Sequence, residues 1–246
     1  MSLPSDAGRA RAKAETRFPQ TSWELLTQAA AGDEQAAPAL NEFSERYYAA
    51  VRAYIAAIVR DPAEYEDTTQ RFFLTVVLSR GLLAHADSKR GRFRTYLKQA
   101  IRHFLVDELR KRGRKKARGA EPDLRPDALP GGWDRLLDGA SPAPDLAFQR
   151  AWTKSLVNIA LVRVNRICEE KGQNSHFRLF IGRFLSTPEK GWQELGAAFG
   201  LDEKTARSRA DTVVRHFRRI LRELLAAELE SEADVDDEIR ALIALH

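Results

Sequence analysis

Apolar side chains in this chain recur every three to four positions and hardly anywhere every second one, which restricts it to helices. "APALNEFSERYYAAVRAYIAAIVR" shows the pattern best. Leu40, Phe43, Tyr47, Val51, Tyr54, Ile55 and Ile58 fall on one stripe until Asp61-Pro62 interrupts it. Before it, "TSWELLTQAAAG" opens a shorter helix at Thr21 or Ser22, with Glu24 in its first turn and Gly32 as a stop. After it, "AEYEDTTQRFFLTVVLSRGLL" has a polar, acidic first half and apolar Phe72, Phe73, Val76 and Val77. Past the loop "AHADSKRG", the stretch "RFRTYLKQAIRHFLVDELRKRGRKK" turns Phe93, Leu97, Ile101, Phe104 or Leu105, and Leu109 inward. The predicted fold class is all-α.

The texture changes at "GAEPDLRPDALPGGWDRLLDGASPAP", which holds five of the ten prolines and four glycines. Such a stretch reads as a flexible linker and a domain boundary. Helical pattern returns in "DLAFQRAWTKSLVNIALVRVNRICEEKG" and "SHFRLFIGRFLS", punctuated by Gly172 and Pro188. The expected architecture is two small helical domains, 17–118 and 145–225, joined by the linker 119–144. A disordered start at 1–16 and an acidic extension at 226–246 flank them.

Charge is distributed unevenly. Thirteen Lys or Arg stand between Lys89 and Arg118 against Asp107 and Glu108, and seven between Lys204 and Arg222 against Asp211. The tail from Glu223 to Arg240 carries eight acidic residues and one basic one. A single basic segment is most simply a solvated helix face, but two of them suggest a polyanion touched at two places. The lone Cys168 rules out internal disulfides and multi-cysteine metal sites, and "MSLPSDAGRARAKAETRF" lacks the apolar core of a secretory signal. A cytoplasmic setting is expected. The five histidines are scattered, and neither "HExxH" nor a phosphate loop is present, so no catalytic residue, metal or cofactor is assigned and enzyme chemistry is not expected.

"GWQELGAAFGLDEKTARSRADTVVRHFRRIL" reads as two helices hinged at Gly200. Trp192, Leu195 and Phe199 make the apolar side of the first, and Asp202 is placed to cap the second. Ala206, Val213, Phe217, Ile220 and Leu224 form the second helix's inner stripe, opposite a largely basic face. A recognition helix offers its N-terminal residues to base edges, which makes Lys204, Thr205, Arg207 and Ser208 the base-edge candidates. Arg209, Arg215, Arg218 and Arg219 are candidates for phosphates.

The first domain offers a different basic surface. Arg94, Lys98, Arg102 and His103 lie outside the apolar stripe, with Tyr96 and the loop residues Lys89, Arg90 and Arg92 nearby. Basic residues interleaved with aromatics suit single-stranded DNA, whose bases stack while its backbone is neutralised. Phe93 and Phe104 belong to the core by their position on the stripe; Tyr96 fits either role. Upstream, Glu64, Glu66, Asp67 and Gln70 form either a dipole-matched helix start or a charged docking face for a protein partner.

An acidic helix ending in a Phe pair, then a basic and aromatic helix, then a helix-turn-helix beyond a linker: in this order the chain resembles the sigma-70 superfamily. It is most similar to the extracytoplasmic-function (ECF) group, which keeps only conserved regions two and four. "AEYEDTTQRFFLTVV" resembles the region-two helix that docks on the RNA polymerase β′ clamp helices. "GRFRTYLKQAIRHFLVDELRKRGRKK" resembles the part that melts and captures the minus-ten element, and the helix pair is similar to the region-four reader of the minus-thirty-five element. "TRFPQTSWELL", "FQRAWTKSLV" and the acidic C-terminal extension resemble an ECF-like subgroup common in planctomycetes. Tyr65 and Thr68 replace the usual Ala and Leu of "DAEDLTQ", and Ala206 replaces a usual Val. The resemblance implies core RNA polymerase (β′ clamp helices and β flap) and promoter DNA as partners, and admits an anti-sigma factor or other regulator. The function implied is a sigma factor without covalent chemistry of its own. The alternative is a helix-turn-helix transcriptional regulator that does not join polymerase.

Overall fold

The computed structural model describes residues 22–31, 34, 36–78, 82, 93–118, 142–186 and 190–226. Every regular element among these residues is helical, in agreement with the all-α expectation. In chain order they are α1 (Ser22–Ala31), α2 (Ala36–Val59), α3 (Pro62–Phe72), α4 (Phe93–Arg118), α5 (Pro142–Glu170), α6 (Asn174–Phe184), α7 (Trp192–Ala197) and α8 (Glu203–Ala226). From Phe73 to Leu78, α3 continues in the wider π winding, which a search for 3.6-residue periodicity does not register.

α2 is the spine. Its stripe buries Phe43, Tyr47, Ala50, Val51, Tyr54 and Ile55. Phe93, at the start of α4, meets Trp23 of α1 edge-on at 5.0 Å and Phe43 and Tyr47 of α2 at 5.8 and 5.2 Å. The inward set of α4 is Phe93, Leu97, Ile101, Leu105 and Val106, so Leu105 rather than Phe104 takes the fully buried place. Phe104 packs from the side on Phe72, 5.4 Å away.

Among the described elements the most extensive packing joins α2 to α5. Phe148, Trp152, Leu156, Ala160, Val164 and Cys168 recur at steps of four along α5, and all are buried. The helix starts at Pro142, three residues inside the expected linker. Pro142 and Pro144 both stand in its first turn, where backbone N–H groups have no intrahelical partner and proline is tolerated. The same residues that look like linker composition therefore begin a helix. The rest of the linker (119–141), residues 1–21 and residues 227–246 lie outside the described residues.

The last part of α5 packs with α6 and α8. Phe180 of α6 meets Phe217 of α8 at 5.9 Å. One continuous buried cluster runs from Phe43 to Leu225, with α5 contributing to both ends.

Candidate nucleic-acid interface

The basic face of α4 is engaged within the chain. Arg94 is nearly buried; its guanidinium lies 4.0 Å from the Trp152 ring centroid, and Nη1 donates to Gln149 Oε1 at 3.1 Å. At such a desolvated site a cation–π contact is worth about 2 kcal/mol. Lys98 Nζ stands 2.7 Å from Asp145 Oδ1, and Arg102 Nη2 donates to Asp145 Oδ2 at 3.0 Å. Arg102 also donates through Nε to the Tyr54 hydroxyl at 2.7 Å, which raises its already high pKa further. Burial keeps the Tyr54 phenol protonated beyond its ordinary range. Tyr96 donates its hydroxyl to the Leu82 carbonyl at 3.0 Å and lies tilted against Trp23, 5.3 Å away, rather than presenting an open ring face. His103 is exposed, whereas Lys89, Arg90 and Arg92 lie outside the described residues. Periodicity alone places Arg94, Lys98 and Arg102 on a solvent face; the structure sets α5 against them. Asp145, Gln149 and Trp152 are the residues that sequence reasoning missed, because a partner about 50 residues away leaves no local pattern.

On α3 the acidic residues divide. Asp61 caps the helix by accepting from the Glu64 N–H at 2.9 Å, with Pro62 in the first turn. Glu66 is held by Arg52 of α2, whose Nε donates to Oε1 at 2.5 Å while its guanidinium lies 4.9 Å from the Tyr65 ring centroid. Tyr65 also accepts from Arg52 Nη2 through its hydroxyl at 3.2 Å. Thr68 is buried, its hydroxyl accepting from Arg71 at 3.3 Å. Tyr65 therefore serves the α2–α3 contact and Thr68 is buried, leaving Asp67 and Gln70 on the exposed side. Asp67 makes an i,i+4 pair with Arg71 at 3.3 Å. Beyond them, Leu74 and Leu78 are exposed apolar residues.

The helix pair α7–α8 is built as a tight corner. Gly200 adopts φ 65°, the left-handed conformation that ends a helix without a side-chain penalty. Gly196 faces the start of α8 so closely that a Cβ there would come 2.6 Å from the Leu201 carbonyl oxygen and 3.4 Å from the Ala206 methyl. Ala206 is fully buried at this crossing, so its small side chain belongs to the close approach. Asp202 accepts from the Thr205 N–H at 2.8 Å and from the Thr205 hydroxyl at 2.7 Å, which lowers its carboxyl pKa. The expected cap is present, and Thr205 spends its hydroxyl on it.

Along α8, Lys204, Ser208, Asp211, Arg215, Arg218 and Arg222 are exposed at helical spacing, opposite the buried Ala206, Ala210, Val213, Ile220 and Leu224. Arg207 is exposed beside this stripe, with its guanidinium 5.9 Å from the Trp192 ring centroid. Arg209 is half-buried and reaches back to Ser175 at 3.5 Å, so it serves the α6–α8 contact. Arg215 donates to Thr212 at 3.0 Å, and Arg219 pairs with Glu223 at 2.7 Å. Burial lowers the His216 pKa, and the nearby Lys171, Arg219 and Arg215 add to the shift.

Among the described residues no group of His, Cys, Asp or Glu is arranged to hold a metal ion, and no helix is long and apolar enough to cross a membrane. No curated protein and no solved structure matches the chain. Residues 43–115, which run from α2 into the basic helix α4, match the family model for sigma-70 region 2. The likeness of this helical stretch to sigma-70 region 2 supports the chain's membership of the sigma-70 superfamily.

Proposed function

We propose that this protein is an RNA polymerase sigma factor of the ECF type, with the planctomycete-like arrangement of opening segment, "FQRAWTKSLV" helix and acidic extension. One observation carries the reading: a sigma-70 region 2 at 43–115 is followed in the same chain by the capped, glycine-cornered helix pair α7–α8 with its basic outer face. The first unit (17–118) docks on core polymerase through the exposed Asp67 and Gln70, supported by Glu64 and Glu66, and handles the start-proximal element with the α4 face. The second (145–225) reads duplex DNA in the major groove. Lys204, Arg207 and Ser208 face base edges, and Arg215, Arg218 and Arg219 face phosphates. Thr205 and Arg209, tied to Asp202 and Ser175, position the helix instead. Residues 119–141 link α4 to α5, and an anti-sigma factor is a further partner class. The chain itself contributes positioning and strand capture; covalent chemistry belongs to the polymerase.

The test is co-elution. The purified chain is expected to form a gel-filtration complex with core RNA polymerase, and the Asp67→Lys/Gln70→Ala variant to lose it while keeping its helical content. A chain that binds duplex DNA through α8 yet never co-elutes with polymerase is a helix-turn-helix regulator instead.

A further inference from the structure

The partners that α5 brings to α4 share one chemical logic. Asp145 sets one carboxylate oxygen against Lys98 and the other against Arg102, at 2.7 and 3.0 Å, as a backbone phosphate would bridge two cations. Trp152 lays its ring on the Arg94 guanidinium at 4.0 Å, as a nucleobase would. Gln149 accepts from Arg94 at 3.1 Å, as a base-edge carbonyl would. Anion, aromatic face and polar edge are the three things that a single strand offers, and here one helix supplies all three to one basic face.

We propose that the first three turns of α5 act as a built-in mimic of single-stranded nucleic acid, occupying the α4 face until a strand replaces them. The inference rests on the reading of α4 as the single-strand face. The ionic part of the contact sits at a rim where the Asp145, Lys98 and Arg102 side chains keep 30, 28 and 22% of their surface in solvent, so a phosphate can reach the cations. The aromatic part is different: Trp152 is wholly buried with Phe148, so full release exposes apolar surface and needs an incoming strand or polymerase to offset it. The fold thereby makes strand capture conditional.

The experiment uses the full chain and a fluorescein-labelled single-stranded oligodeoxynucleotide followed by anisotropy. Asp145→Asn/Gln149→Ala leaves Trp152 and the packing in place and removes the mimic's charge and polar edge. It is expected to bind the strand about tenfold more tightly, the scale of one ion pair shared by two cations. Glu169→Gln removes the same charge at the exposed far end of α5 and is expected to change binding less than about twofold. Hydrogen exchange is the second readout: saturating oligonucleotide is expected to speed exchange in residues 145–153 of the wild type. An equal gain in both variants, or slower exchange at 145–153 with strand bound, overturns the mimic. If the double variant gains nothing while Lys98→Ala and Arg102→Ala each weaken strand binding, the mimic fails but the single-strand face stands. If those two lysine and arginine variants bind as the wild type does, the reading of α4 itself fails and the mimic with it.

Discussion

At the scale of single residues, the chain separates groups whose partners are close in sequence from groups whose partners are not. Asp202 is legible as a cap because an N-cap acts within three residues, and it does hold Thr205. Gly200 is legible for the same reason, since a helix that must turn at once needs a left-handed residue. Arg102 is not. Its place outside the apolar stripe can be read from spacing, but Tyr54 and Asp145 come from 48 and 43 residues away. The same division bears on α8. Arg207, the proposed base-edge residue, is exposed beside Trp192 near the helix start, whereas Arg215 lies further along on the exposed stripe. Arg207→Ala is expected to change which duplex sequences bind best. Arg215→Ala is expected to weaken all duplexes alike and to reduce the salt slope by about one counterion. Affinity measured across a panel of duplexes at several salt concentrations separates the two; a uniform loss for both removes the base-reading role of Arg207.

At the scale of elements, α5 is where the sequence says least and the structure most. Its first-turn prolines carry linker composition, and "FQRAWTKSLV" is amphipathic without naming the surface that it covers. The stripe at steps of four binds α5 to α2 and then to α6 and α8, so the helix belongs to both units that the linker was expected to separate. An ion pair fastens the α2–α5 contact: Glu42 of α2 accepts from Arg163 of α5 at 3.2 Å, and from the buried Arg46 of its own helix at 2.5 Å. Trp152 sits at the centre, wholly buried and under Arg94. Trp152→Ala is expected to lower stability by about 3–5 kcal/mol, the usual cost of emptying a buried aromatic site. Phe184→Ala, half-exposed on α6, should cost far less. Denaturant unfolding of the two variants checks the contrast. The π winding at 73–78 escaped sequence reading for a related reason: it changes the pitch by a fraction of a residue per turn and leaves the Phe72–Phe73 pair apolar and buried either way.

At the scale of the whole molecule, the two basic segments are on one chain but in different states. The α8 face is exposed along its length, while the α4 face is met by α5. Under the proposed function, the α8 face is open to duplex DNA first and the α4 face to an opened strand only after α5 gives way. Composition and periodicity were enough for the helical class and for the two charged regions. That α5 meets the α4 face depends on contacts between distant segments, which leave no local pattern. Strand opening by reconstituted enzyme tests whether these parts work together as a sigma factor. Core RNA polymerase is incubated with this chain and a library of promoter-length duplexes, and unpaired thymines are mapped with permanganate. Reactive thymines are expected near the start site on a defined subset of sequences, absent with core enzyme alone and abolished by Asp67→Lys/Gln70→Ala. Duplex binding with no thymine made reactive on any sequence would contradict the sigma-factor reading.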